Sequence, residues 1–300
     1  MWKDYLKALS ACLLWSTAFV GVKVGLQYTT PLFFAGIRFI LAGILVLILS
    51  RNIRGLIPYL REHWKLAVAV GSLQTGIMYG LFFNGINLLP AGIAAIITGT
   101  SPLITSVTAH FTIADDKLTP RKILGFIIAI TGVVLISIGR NASMTAWHTE
   151  LIGILLLLTS SSANAFSQVI VKKHPSNPLL LNASQIFIGG CMLLITSLVV
   201  EGVPTLSFPP IFYGTLLWLS AVSGFAFSIW FTLLQKPTVK ISELNIFKFV
   251  IPVTGAILSW VIIPNDNPNL LSIMGMCIIA SSIILFYGNK AKKEIPVTQI

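Results

Sequence analysis

Charge is what this sequence has least of. Among 300 residues there are twenty Lys or Arg and nine Asp or Glu, 10 % in all, against roughly 25 % in a soluble chain. These few charges crowd into short segments between long apolar runs, so no water-facing surface can be built from them, and a soluble globular enzyme is excluded. A disordered chain is excluded as well, because 55 % of the residues are hydrophobic and mean hydropathy is +0.89. Cysteine is scarce: Cys12, Cys191 and Cys277 all fall in apolar runs, without metal-ligand or disulfide spacing, and are expected to be small buried hydrophobes. Neither a metal site nor a cofactor is expected. No GxxxxGK[ST] phosphate loop occurs, which argues against ATP hydrolysis on this chain, and HExxH is absent. The net charge of +11 lies at the ends of apolar runs rather than on a solvated basic face, so the expected partner is a membrane surface and not nucleic acid.

What is present is length without polarity. A helix needs about 20 mainly apolar residues to cross the hydrocarbon core. Ten such runs follow one another near 5–26, 31–50, 65–86, 90–112, 121–139, 150–171, 178–200, 211–234, 241–263 and 270–288. The stretch Met1 to Lys7 leads directly into the first and reads as its beginning, not as a cleaved signal. The longest connector, Arg51 to Trp64, leaves no room for a soluble domain. With the N-terminus in the cytoplasm, sixteen of the twenty basic residues fall in inner segments and one, Arg140, in an outer connector; Lys23, Arg38 and Lys248 lie within runs. By the positive-inside rule both termini are cytoplasmic. The expected fold is therefore an all-α membrane protein of ten transmembrane helices, multi-pass in the cell (plasma or inner) membrane.

The chain also repeats itself. Shifted by 147 residues, Ser16–Val24 falls on Ala163–Val171, Pro31 on Pro178 and Gly43 on Gly190; shifted by 150, Pro102 falls on Pro252, Asp116 on Asp266 and Gly125 on Gly275. With five helices in each half, the second half enters the membrane with opposite orientation, and inverted repeats of this kind build transporters around a central site. The expected division is a first repeat over 1–145, a second over 146–290 and a cytoplasmic tail over 291–300. The residues Trp15–Phe19, Ile37–Phe39, Thr100–Pro102, Leu118–Gly125 and Phe247–Pro252 resemble the ten-helix drug/metabolite transporter superfamily, specifically its EamA-like exporters, over essentially the whole chain. The chain departs from that pattern at Asp115–Asp116, where the acidic residue is usually glutamate, at Asn265–Pro268, and at Ser281 and Ser282 in place of glycines. The resemblance implies export of a small solute by a unit that needs no second copy to close its cavity, so a monomer suffices.

Polar groups inside apolar runs cost roughly 2.5–3.5 kcal/mol each when charged, and they mark the candidate site. Lys248 heads a small-and-polar face with Asn245, Pro252, Gly255 and Ser259, where it can hold a substrate carboxylate or phosphate; snorkelling toward the cytoplasm is the alternative. Glu243 lies about 140° around the helix from it and is poorly aligned as a partner. Thr98, its counterpart in the first half, begins a hydroxyl stripe with Ser101, Thr105, Thr108 and Thr112, beside Pro102; such a stripe lines a cavity or bonds neighbouring helices. Asn164 and Gln168 share one face of the sixth run with Ser161, and Thr17 is the first-half counterpart of Asn164. Trp15, Tyr79 and Trp230 lie within runs and either wall a pocket or fill the core, whereas Trp2, Tyr28, Trp64, Trp147 and Tyr287 fall at interfaces. Arg38, about 10 Å deep, together with Pro102 and Pro252, is expected to be structural or gating, and Lys23 to snorkel outward. The expected function is alternating-access transport, most simply export of an amino acid, with exchange of phosphorylated or drug-like solutes, or a sensor or scaffold role, as competing readings. No Asp or Glu lies near mid-run, so no carboxylate proton relay is in view.

Overall fold

A chain in lipid must satisfy its backbone internally, which leaves helices as the economical solution for long apolar runs. The computed structural model describes residues 2–89, 94, 97–138, 147–204, 207–262 and 270–287; 86 % of them are helical and none is in a strand. Arg140, Asp266 and the tail from 288 lie outside the described residues, as do the side chains of Lys23, Trp147, Ser259 and Tyr287. In chain order the helices are α1 (Trp2–Gly25), α2 (Pro31–Leu49), α3 (Ile53–Val70), α4 (Met78–Asn87), α5 (Ser101–Thr112), α6 (Pro120–Ile138), α7 (Trp147–Lys173), α8 (Pro178–Val200), α9 (Pro210–Leu234), α10 (Ile241–Asn245), α11 (Val250–Ile262) and α12 (Leu270–Tyr287). Among the described residues, six segments are long and apolar enough to cross a membrane: Trp2–Val22, Pro31–Leu49, Ile53–Asn87, His148–Lys173, Pro178–Val200 and Pro210–Leu234.

Prolines open α2, α6, α8 and α9, where the missing N–H costs nothing and the fixed φ suits a first turn. Two of these starts are capped by side chains. Asn177 accepts from Leu179 N and Leu180 N, both at 3.1 Å. The carboxylate of Glu201, beyond the end of α8, reaches across to accept from Leu32 N at 3.0 Å and Phe33 N at 3.1 Å at the start of α2, adding a negative charge where the helix dipole favours one.

Small residues set the closest approaches. α2 and α8 run against each other, and a Cβ on Gly36 would meet the backbone of Leu194 at 2.8 Å while one on Gly190 would meet Ile40 N at 2.8 Å. α6 lies on α12 in the same manner, with Gly132 against Gly275 O at 2.6 Å. α1 packs on α9, and α4 on α7.

The structure corrects several expectations. Ile53–Val70 is helical, so most of the segment expected as a connector over Arg51 to Trp64 is a helix, with a break in its regular backbone at His63 (φ −115°, ψ 17°). Gly71–Ile77 is wound as a π-helix between α3 and α4. The run expected as one helix over 241–263 is divided by a 3₁₀ turn, Ile246–Phe249, and in the 90–112 run Thr100 closes a tight turn onto Ile97 O at 3.0 Å before α5 begins. Both irregularities lie just ahead of a proline, Pro252 and Pro102, whose rings exclude the carbonyls four residues earlier, those of Lys248 and Thr98. Cys12 is buried, but Cys191 is only partly so and Cys277 is exposed. An apolar neighbourhood in a membrane helix does not distinguish a packed face from a lipid-facing one.

Candidate functional site

Lys248 sits in the 3₁₀ turn, half-buried, with its ammonium 4.9 Å from the ring centre of Trp230 and 5.9 Å from that of Trp15. The two indoles are 5.2 Å apart, and Trp15 also meets Phe227 edge-on at 5.2 Å. Aromatic faces attract a cation, by about 0.5–2 kcal/mol each, but they leave its hydrogen-bonding capacity unused. Among the described residues Lys248 has no ion pair and no hydrogen bond. Cys12, one turn before Trp15 on α1, is close enough to interact electrostatically with it.

Around the indoles runs a chain of buried amides from four segments. Asn245 Nδ2 donates to Ile241 O at 3.0 Å and to Gln168 Oε1 at 2.8 Å; Trp230 Nε1 also donates to Gln168 Oε1, at 3.3 Å. Gln168 Nε2 and Gln74 Nε2 both donate to Asn164 Oδ1, at 3.2 and 3.0 Å, and Asn164 Nδ2 reaches Ser101 Oγ at 3.5 Å. The orientation of each amide follows in turn. A backbone carbonyl fixes Asn245, an indole N–H fixes Gln168, and these two fix Asn164 and Gln74. With the amides so held, Asn245 Oδ1, Gln74 Oε1 and Trp15 Nε1 are buried without partners. An unpaired buried polar atom costs about 1–3 kcal/mol, so three of them beside an unpaired ammonium form a set of donors and acceptors suited to a polar ligand.

Of the residues singled out in the sequence, Lys248, Asn245, Trp15, Trp230, Asn164, Gln168 and Ser101 are brought into this one cluster. Gln74 belongs to it and was missed; its signal was available as a glutamine between Ser72 and Thr75 in an otherwise apolar run. Tyr79 does not join. Its ring lies 4.6 Å from Phe39, beneath Arg38, whose guanidinium carbon is 5.7 Å from the Tyr79 centroid and 4.2 Å from that of Phe39. Thr17 donates to Leu14 O at 2.7 Å and Thr98 to Ala94 O at 2.8 Å. Thr105, Thr108 and Thr112 likewise bond carbonyls four residues earlier in their own helix, at 2.6–2.9 Å, so those hydroxyls point to local satisfaction. Pro102 and Pro252 stand where the two backbone irregularities require them.

Close to the cluster, α10 is tied to the connector between α5 and α6. The Asp116 carboxylate accepts from Ser242 N at 2.9 Å and from Ser242 Oγ, and pairs with Lys122 at 3.1 Å. At the same end Lys236 pairs with Asp4 at 2.5 Å, and Lys172 donates to Lys236 O and Val239 O at 2.5 and 2.6 Å.

An all-helical, membrane-crossing bundle that holds a cation and unpartnered amide oxygens inward defines a class: integral membrane proteins organised around a polar interior. The profile of the EamA-like transporter family matches this chain twice, over residues 2–138 and 151–288. The chain therefore belongs to the EamA-like transporter family, and it is a multi-pass protein of the cell membrane. It is 29 % identical to the transporter YvbV of Bacillus subtilis (strain 168), over 94 % of this chain and 90 % of that one. It is 25 % identical to a protein of Escherichia coli (strain K12) named "Probable amino-acid metabolite efflux pump", over 98 % of both chains. The inner membrane transporter YedA of the same strain is 28 % identical over 65 % of this chain and 63 % of its own. One crystal structure superposes with a TM-score of 0.84 over 97 % of this chain and 99 % of its own at 17 % identity, a likeness of fold.

Proposed function

We propose that this transporter exports a small metabolite carrying a carboxylate and an amine, in the simplest case an amino acid, by alternating access between two inverted five-helix repeats, 1–145 and 146–290. The observation that carries the reading is Lys248, a membrane-embedded ammonium with no counter-ion among the described residues, framed by unpartnered atoms of both polarities. A substrate carboxylate would take Lys248 Nζ and Trp15 Nε1; its ammonium would take Asn245 Oδ1 and Gln74 Oε1; the indoles would cover the organic body. The efflux name of the Escherichia coli relative and the two tandem family matches support the same reading. Ten spans with both termini in the cytoplasm agree with the distribution of basic residues, and one copy is sufficient to form the cluster. A doubly charged phosphate fits less well, since the other deep cation, Arg38, belongs to a different aromatic group.

Counterflow in sealed proteoliposomes with a panel of labelled amino acids, phosphorylated metabolites and lipophilic cations tests this. Saturable exchange of amino acids alone is the expected result. Exchange of the other solutes with none for amino acids would overturn the substrate class, and no exchange of any solute would turn the reading toward a sensor or scaffold.

A further inference from the structure

The first ten residues of α3 do not look like the start of a membrane-crossing helix. Ile53, Ile57 and Trp64 are 56 %, 63 % and 54 % exposed, and with Val68 they recur at helical spacing as one apolar stripe. Alongside it Arg54, Arg61 and Lys65 are exposed, and Lys65 stands 5.8 Å from the Trp64 ring. A stripe of Ile and Trp flanked by cations is the composition of a helix lying in the headgroup layer. The backbone break at His63 separates this stretch from the part that turns into the bundle.

The stretch is fastened at both ends. Tyr59, on its buried face, hydrogen-bonds Ser176 at 3.0 Å, and Ser176 N donates to Gln235 Oε1 at 2.8 Å, tying it to the loop before α8 and the end of α9. Its entrance is Arg51, exposed and in the left-handed backbone region (φ 53°), an arrangement that costs about 1–2 kcal/mol for a residue other than glycine. Immediately before Arg51, the last turns of α2 border a cavity of about 190 Å³ lined by Leu45, Leu49, Ser50, Leu179, Phe225 and Ser228, among others. That groove is nearly all apolar, and its end lies against a basic rim. Between Asp4 and Glu62 the sequence holds no acidic residue to neutralise Arg51 and Arg54.

We propose that this corner is a binding site for one anionic glycerophospholipid, its phosphate on Arg51 and Arg54 and an acyl chain in the groove between α2, α8 and α9, with the Ile53–Trp64 segment lying in the interface beside it. The occupant is a lipid rather than a soluble anion because the groove offers hydrocarbon length and no polar anchor beyond two serines. Charge complementarity then selects the headgroup: each basic residue near an anionic surface contributes about 1 kcal/mol, or roughly fivefold in retention.

Native mass spectrometry of the full chain, released from detergent with equal phosphatidylglycerol and phosphatidylcholine, reads this out independently of any transport. The wild type is expected to retain phosphatidylglycerol roughly tenfold or more over phosphatidylcholine. Arg51→Gln with Arg54→Gln is expected to lose most of that preference while remaining monodisperse and folded by circular dichroism. Leu49→Trp, which fills the groove, is expected to reduce retention of both lipids. Should either variant fail to fold, the wild-type preference and its loss in Arg54→Gln alone decide the matter. Equal retention of the two lipids by the wild type, or an unchanged preference in the arginine variants, would overturn the proposal.

Discussion

Two deep cations, Arg38 and Lys248, rest on aromatic rings in different parts of the bundle, and the rest of their surroundings differ. Arg38 is 4 % exposed in the unbroken helix α2, against Phe39 and Tyr79, which continue into Phe82 and Phe83. Its neighbourhood is hydrocarbon and ring, with no chain of amides, although its own Nε is unpartnered. Lys248 is half-buried on a divided helix and borders amides whose spare oxygens face no partner. Guanidinium is weakly hydrated and stacks well on rings, so it tolerates a dry aromatic setting; ammonium is strongly hydrated and needs compact acceptors. The difference teaches that depth alone does not mark a transport residue. What separates the two is whether nearby groups have hydrogen-bonding capacity to share with a third molecule.

The largest effect that would break this comparison is on transport. Removing one partner of a buried ion pair leaves the other charge uncompensated, at about 3–5 kcal/mol. Lys248→Met is therefore expected to lower amino-acid counterflow by on the order of 100-fold or more, with no fall in thermal stability, since the resting protein loses only an unpaired charge. Counterflow within threefold of wild type would reduce Lys248 to a passive cation. Next in size is Gln168→Leu, which strands Trp230 Nε1 and one donor direction of Asn245 while releasing Asn164. The expected cost is about 2 kcal/mol, read as a lower unfolding temperature in detergent, with counterflow down roughly tenfold. Unchanged stability would mean the amide chain is not held as described.

Arg38→Met should fall below both in its effect on transport. It removes two ring contacts worth about 0.5–2 kcal/mol each, and counterflow is expected to stay within tenfold of wild type. A loss matching that of Lys248→Met would erase the distinction and place both cations on one substrate path.

The sequence allowed much of this to be read, and the failures have a common cause. Lys248, Asn245, Asn164, Gln168 and Trp230 were legible because polarity within an apolar run must be answered by something inside the protein. Pro102 and Pro252 signalled irregular backbone, but the side on which the helix would tighten was set by tertiary packing. Gln74 escaped because its π-helical turn follows neither the spacing nor the face of an α-helix. The segment 51–64 looked too charged to be part of a helix in this bundle, yet cations beside an apolar stripe suit an interfacial one. Cys277 and Cys12 have similar sequence surroundings and opposite exposure, because core and lipid are equally apolar.

The hydroxyl stripe of the first half supplies the smallest effect. By sequence, Thr105 and Thr108 stand in register with the polar face that includes Ser101, and cavity lining was one of two readings. Their hydroxyls instead donate at 2.9 and 2.8 Å to Ser101 O and Ile104 O of their own helix. A bond of this kind travels with the helix whatever its neighbours do, and polar contacts between membrane helices average only about 0.6 kcal/mol. Thr105→Val and Thr108→Val, close in shape to the wild type, are thus expected to change stability by less than about 0.5 kcal/mol and counterflow by less than about threefold. A loss tenfold or greater in either would mean that the hydroxyl turns from its carbonyl to the substrate during the cycle, giving the first half a polar contribution comparable to that of the second.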